Sequence, residues 1–395
     1  MDKPLSYGRQ WIEDDDLKAV AEVLRSDWLT TGPTVTAFED ALAELTGAEY
    51  VVAVANGTAA LHLAALALGV GPGDVGLSPP LTFLASANCL AVTGASVKFV
   101  DVDPATWCLS PAEVERFCRE QGPPAAVVAV DFAGVPADLP ALSELAARWG
   151  FGLIEDAAHA VGSTYDHDGR TIACGAGEHS HLAVFSFHPV KNITSAEGGA
   201  VLTNDPALAE RVRRLATHGL IRDPQKLRRY EGPWSSEMVE LGYNYRLSDV
   251  HSALGLSQLK RLPAFKARRA ELVRRYNRAF AEDADVLAPP PWPAGCDPCF
   301  HIYPLALTGP LADRRLDLFM YLRDRNIFSQ VHYRPVHTQP YYVDRHGADP
   351  EDCPVSLDVY SRTLSLPLYP ALNDADADRV IAAVRSFVQA EKRRW

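Results

Sequence analysis

Lys191 is the residue with the most chemistry to offer. It sits in the run Phe185-Ser186-Phe187-His188-Pro189-Val190-Lys191-Asn192, and 35 positions upstream of it lies Asp156, within Glu155-Asp156-Ala157-Ala158-His159. A lysine amine condenses with an aldehyde to a Schiff base, and a carboxylate beside a pyridine nitrogen keeps that ring protonated so that it can absorb electrons. A lysine and an aspartate brought together by a fold therefore read as a site for pyridoxal 5'-phosphate. Neither residue says so alone: a lysine after a proline turn is more often a surface side chain, and an aspartate at a strand end often caps the next helix.

The neighbouring residues extend the pattern. Ala157 and Ala158 are small enough to let a flat ring approach Asp156. Burial lowers a lysine pKa, so an amine at Lys191 could also carry a proton between the substrate Cα and C4′ of the cofactor. His159 can touch the ring face or its phenolic oxygen, though a core histidine is nearly as common. Gly57 and Thr58 open a helix directly after a strand, where free N–H groups and the positive dipole end suit a phosphate. The G-x-G-x-x-G glycines of a dinucleotide fold are missing there. Ser186 is a second candidate phosphate donor, and Phe83 a candidate to stack on the ring, although a phenylalanine among apolar neighbours is usually core. Trp28, His188, His332 and Tyr333 are candidates for a substrate pocket, each equally readable as structural. Cys296 and Cys299 have the spacing of half a zinc site, but no second pair of ligands is placed to complete it, so no metal is expected.

These residues need a scaffold, and apolar periodicity supplies one. Val51–Ala55, Ser96–Val100, Ala125–Val130, Gly152–Glu155, Ala183–Phe187 and Ala200–Thr203 read as buried strands, alternating with helices such as Val35–Leu45, Thr58–Leu68 and Ala141–Trp149. That alternation predicts an α/β fold built on a mostly parallel mixed sheet flanked by helices, with ligands at the carboxyl ends of the strands. Ser248–Leu262 reads as one long helix leading out of this domain. Beyond it the proline-rich 289–293 stretch marks a loop, followed by a strand (His301–Leu307) and helices at Ala312–Arg325 and Asp374–Lys392. The expected division is a large domain over residues 1–262 and a small C-terminal α+β domain over 263–395. A helix near Glu13–Ser26 could pack on either.

Composition narrows the classes of function. The 395 residues are 47% hydrophobic, ample for a large core. Lys and Arg number 38 against 50 Asp and Glu, a net charge of -12, so nothing draws the chain generally to nucleic acid or anionic membranes. No apolar run approaches the roughly 18 residues of a membrane helix, and the start lacks the basic and apolar segments of a signal peptide. Seven scattered cysteines suit a reducing compartment, and a cytoplasmic location is expected.

Taken in order, Leu29-Thr30-Thr31-Gly32-Pro33, Gly57-Thr58-Ala59-Ala60-Leu61, Thr82-Phe83, Glu155-Asp156-Ala157-Ala158-His159-Ala160, the Lys191 run through Glu197-Gly198-Gly199, Gly242-Tyr243-Asn244-Tyr245-Arg246 and His332-Tyr333-Arg334-Pro335 span nearly the whole chain. In these the sequence resembles the DegT/DnrJ/EryC1/StrS sugar aminotransferases, fold type I enzymes that use pyridoxal phosphate and work as dimers. The resemblance implies Lys191 as the cofactor-linking amine, Asp156 on the pyridine nitrogen, His159 on O3′ or the ring face and Phe83 stacked. Thr58 and Ser186 would hold the phosphate with Gly57. Asn244 would reach the cofactor phosphate of the neighbouring subunit, so that a homodimer shares its active sites.

Members with histidine in place of the lysine are dehydratases; Lys191 favours transamination, with L-glutamate leaving pyridoxamine 5'-phosphate as the intermediate form. The subgroup most resembled aminates C4 of UDP-linked 4-keto-6-deoxy-N-acetylhexosamines on the route to pseudaminic acid. There this chain departs by carrying Asn192 after the lysine in place of a second proline. Rival readings are a C3-aminating enzyme for a dTDP-keto sugar or a keto-cyclitol, and a non-catalytic cofactor-binding sensor.

Overall fold

The protein is described by a computed structural model covering residues 3–394. Its centre is a seven-stranded sheet in the order Tyr50–Val54, Gly199–Thr203, Leu182–Ser186, Gly152–Asp156, Ala126–Val130, Val75–Ser78, Ser96–Phe99. Only Gly199–Thr203 runs against its neighbours. The 187–198 loop folds straight back, pairing Ser186 with Gly199, where a parallel strand would need a longer crossover. Lys191 is thereby kept on the carboxyl edge of the sheet. Buried on both faces, the central strands are near-continuous Ala, Val and Leu rather than alternating.

Val75–Ser78 is a strand the apolar pattern did not reveal. Gly76 breaks the run, yet its bare backbone is what lets the next helix close in: a Cβ there would lie 2.7 Å from Leu90 Cδ1. The stretch read as one helix to Leu262 is two, Asp249–Leu259 and Leu262–Phe280, with Pro263 in the first turn of the second. The second helix spans two cores. Phe265 packs with the large sheet, while Leu272, Val273, Tyr276 and Phe280 join a separate cluster around Tyr303–Leu307 and Thr363–Leu366. Those two strands pair with each other, and Tyr303–Leu307 pairs on its other side with a third, Leu287–Ala288, beneath the helices Arg315–Arg323 and Asp374–Lys392.

The N-terminal helix, Asp14–Leu24, packs on Asp249–Leu259. Fully buried Asp16 fixes it there by accepting from Gln258 Nε2 at 2.8 Å and pairing with Arg261. The preceding residues go elsewhere: Leu5 exchanges backbone hydrogen bonds with the 326–328 segment and sits in the C-terminal core. The proline-rich loop leads into a short strand, Cys296–Asp297, which adds to the Thr164–His167 hairpin. Both thiols of the Cys pair are turned to backbone carbonyls. Cys296 Sγ donates to Pro293 O at 3.0 Å and Cys299 Sγ to His159 O at 2.9 Å. Among the described residues no helix is long and apolar enough to cross a membrane.

Candidate active site

A cavity of about 420 Å³ opens at the carboxyl ends of the central strands, and Lys191, Asp156, His159, Ser186, Gly57, Thr58, Phe83, His188, His332 and Tyr333 all line it. Topology thus brings together predicted site residues up to 276 positions apart (Gly57 to Tyr333).

Asp156 ends its strand with the side chain on the cavity face; its neighbour Glu155 points the other way, as strand geometry requires, and accepts from Gly175 N at 2.9 Å. The Asp156 carboxylate is held at both oxygens. Ser86 Oγ donates to Oδ2 at 2.6 Å, Ala158 N to Oδ1 at 3.2 Å, and Thr82 Oγ1 bonds Ser86 Oγ at 2.7 Å. Burial raises the Asp156 pKa, while the Ser86 hydrogen bond and the charge of Lys191 pull it back. Lys191 responds in kind. Burial pushes its pKa down to about 8, against the opposing pull of Asp156. Its backbone N–H closes a turn onto His188 O at 2.8 Å, and the side chain of Asn192 donates to Cys299 O at 3.0 Å, fastening the loop on its far side.

Gly57 begins the helix Gly57–Ala67, and Asn56 caps it, its Oδ1 accepting from Ala59 N at 2.8 Å. The first N–H groups of a helix have no intrahelical partner, so those of Gly57 and Thr58, both of which line the cavity, are left for a ligand. Two glycines make this corner possible. A Cβ on Gly57 would lie 2.7 Å from Ser186 Cβ, and one on Gly199 2.5 Å from the Asn56 carbonyl carbon. The helix start, the Ser186 hydroxyl and the backbone therefore converge with no side chain between them.

His159 is 4% exposed, its Nε2 is 3.2 Å from Tyr333 Oη, and burial lowers its pKa well below the usual range, leaving a neutral ring. His332 bonds Ser365 Oγ through Nδ1 at 2.8 Å and is likewise held neutral by burial, its pKa falling to about 3. Phe83 stands 54% exposed at the rim, its ring 6.0 Å from that of Tyr333.

Two expected residues lie outside this cavity. Trp28 is half exposed in a separate groove with Pro33 and Leu256, because the 26–32 segment turns onto the Asp249 helix, where the Asp249 carboxylate accepts from Gly32 N at 2.8 Å. The substrate reading of Trp28 is not supported within one protomer. Asn244 is exposed on a loop whose backbone extends the sheet edge, with Ala55 N donating to Tyr245 O at 2.7 Å.

Of the other lining residues, Asn56 falls after its strand with Gly57 and Thr58, where the sequence places it, and the rest were not anticipated. Asn56 had a visible signal, a capping residue type between a strand and Gly57. Thr82 and Ser86 stand four apart around a helix start, but their apolar neighbours hid them. Tyr7 and Glu197 gave none: Tyr7 arrives only because the N-terminal strap bonds Leu368 N through Tyr7 O at 2.9 Å.

An α/β sheet with one reversed strand, and a lysine facing an aspartate across a cavity at the strand ends, define a fold type I aminotransferase. The chain belongs to the DegT/DnrJ/EryC1/StrS aminotransferase family, whose model matches residues 10–385. It is 38% identical over 387 residues to the spore coat polysaccharide biosynthesis protein SpsC of Bacillus subtilis, covering 98% of this chain and 97% of that one. Its fold is similar to that of Helicobacter pylori PseC, an aminotransferase involved in the biosynthesis of pseudoaminic acid (TM-score 0.88, 28% identity, 98% of this chain and 100% of that one). It is also similar to Spr1654 of Streptococcus pneumoniae in its PLP form (TM-score 0.85, 27% identity, 96% of this chain and 97% of that one).

Proposed function

We propose that this transaminase uses pyridoxal phosphate to move an amino group from L-glutamate to C4 of a nucleotide-linked 4-keto-6-deoxy-N-acetylhexosamine, with UDP as the nucleotide. One observation carries the reading: Lys191 and Asp156 face a single cavity whose third side is a bare helix N-terminus. The residues fit the cofactor. The cavity would take one small aromatic ring, and the Gly57–Ser186 corner leaves N–H and hydroxyl donors for a phosphate. The buried Asp156 carboxylate, already steadied by Ser86 and Ala158, suits a pyridinium nitrogen.

Pyridoxal phosphate, when bound, supplies an aldehyde that condenses with amines and a ring that withdraws electrons. The chain supplies the rest. With a pKa near 8, Lys191 Nζ has a sizeable neutral fraction at working pH, which makes it both nucleophile and proton carrier. His159 and Tyr333 lie over one side of the cavity, and Phe83 lies at its rim. Asn244 completes the neighbouring subunit's phosphate site. Support for pairing comes from Trp234, Met238 and Leu241, which stand 77%, 64% and 74% exposed just before that loop.

The likeness to PseC and SpsC supports a sugar acceptor. A panel of UDP- and dTDP-linked 3-keto and 4-keto sugars, with L-glutamate as donor, tests the assignment. Turnover confined to UDP-linked 4-keto sugars is expected. Amination at C3, or of a keto-cyclitol, would overturn the acceptor while leaving the donor chemistry in place.

A further inference from the structure

His301 lies behind the cavity wall, 3% exposed, with its ring centroid 4.3 Å from that of His159 and the two planes 37° apart. It does not line the cavity. Its backbone is held from both sides, while the ring's Nδ1 is buried without a hydrogen-bond partner and the imidazole is fixed by packing. His301 N donates to Ala133 O at 3.0 Å, and its carbonyl accepts from Arg269 Nη1 at 3.0 Å. Arg269 is itself 1% exposed and spends the same nitrogen on Phe300 O at 3.1 Å and Leu368 O at 3.0 Å. A buried guanidinium that gathers carbonyls from two separate segments, even leaving its Nε without a partner, is a costly device for merely filling space. Here it pins the turn that carries His301.

The same turn grips the cavity wall again two residues earlier. Cys299 Sγ donates to His159 O at 2.9 Å, Cys299 N to Ser163 Oγ at 2.9 Å, and Cys299 O accepts from Asn192, the neighbour of Lys191. Between them Phe300 adopts φ 53°, in the left-handed region disfavoured for a bulky residue, so the surrounding bonds hold the turn in a shape it would not choose. Among the described residues the His159 ring has one side-chain hydrogen-bond partner, Tyr333, and its Nδ1 is buried without any. A ring so loosely bonded needs packing to fix its plane.

We infer that His301 is a positioning residue for His159, its imidazole setting the plane that His159 presents to the cofactor, with Arg269 and Cys299 holding the turn between the cavity wall and the C-terminal core. This rests on the cofactor reading above. Small displacements of a contacting group are costly in rate, so the effect should exceed what a lost surface contact would give.

The test compares wild type with His301→Ala, His301→Leu and His301→Phe in the full chain. For each, the apoprotein's affinity for pyridoxal phosphate is read by fluorescence quenching, the bound cofactor by visible circular dichroism, and the donor half-reaction by single-turnover kinetics with L-glutamate. His301→Ala should weaken cofactor affinity and slow the half-reaction by about 10-fold or more, with the donor KM changed less than about 3-fold. The circular dichroism band should change in the same variant. His301→Phe, which keeps a flat ring, should recover most of the loss, and His301→Leu, which fills space without one, should not. Phe and Leu variants that behave alike, or an Ala variant within about 2-fold of wild type, would overturn the inference. If the Ala variant does not fold, the Phe and Leu pair decides by the same criterion. Failure to find the cofactor on Lys191 of the wild type would instead refute the underlying reading.

Discussion

Replacing Lys191 by methionine should stabilise the apoprotein, and by an amount that depends on pH in a defined direction. In the folded chain burial holds the Lys191 pKa down to about 8. Unfolded, the same amine titrates near 10.4. Below pH 8 both states carry the proton and the fold bears the whole cost of a buried ammonium, roughly 3 kcal/mol at 1.36 kcal/mol per pKa unit. Between about pH 8 and 10.4 the unfolded chain still binds a proton that the folded chain has released, so wild-type stability rises with pH across that window. Methionine has no such term. The advantage of Lys191→Met should therefore be greatest at neutral pH and shrink steadily above pH 8. Part of it is offset because Asp156 loses an opposing charge, which raises its pKa further. That attraction is already contained in the Lys191 pKa of about 8 and is lost together with the amine's proton, so the alkaline slope stands. Urea unfolding of both apoproteins from pH 7 to 10 measures the gap directly. A gap that is flat with pH, or that widens as pH rises, would refute the claim that Lys191 is held as a destabilised amine.

Ser86→Ala should lower the rate of the glutamate half-reaction by about 10-fold or more, the worth of a charge-assisted hydrogen bond, and raise the acid limb of its pH profile, because that bond depresses the Asp156 pKa. Stopped-flow rates across pH check both. Thr82→Val, which removes only the hydroxyl behind Ser86, should cost less. Co-expressing Lys191→Ala with Asn244→Ala should restore about a quarter of wild-type activity, since mixed dimers with shared sites rebuild one intact site of two. Either variant alone should be inactive, and mixtures with no recovery would argue against Asn244 acting across the interface.

How much of this was legible in the sequence follows the physics of each feature. The central strands were readable because burial on both faces writes them as unbroken apolar runs, and Lys191 and Asp156 because both fall at the ends of such runs, where their pairing says what neither residue says alone. The Val75–Ser78 strand was not, since Gly76 serves a contact with Leu90 that no local pattern records. The break between Asp249–Leu259 and Leu262–Phe280 was hidden because helical periodicity continues through it. Tyr7, Ser86 and His301 owe their places to long-range packing: the strap onto Leu368, a hydroxyl aimed across the sheet, and a turn pinned by Arg269. Trp28 lies in a separate groove of its own protomer because Asp249 holds its segment there, a long-range bond that no local pattern records.

The most direct test is covalent. Purified protein loaded with pyridoxal phosphate should absorb in the visible, and borohydride should bleach that band and leave one pyridoxyl group, found by peptide mass mapping on Lys191. L-Glutamate added first should abolish the labelling. A pyridoxyl group on any other lysine, or a band that glutamate does not touch, would contradict the assignment of Lys191 and Asp156 as the reacting pair.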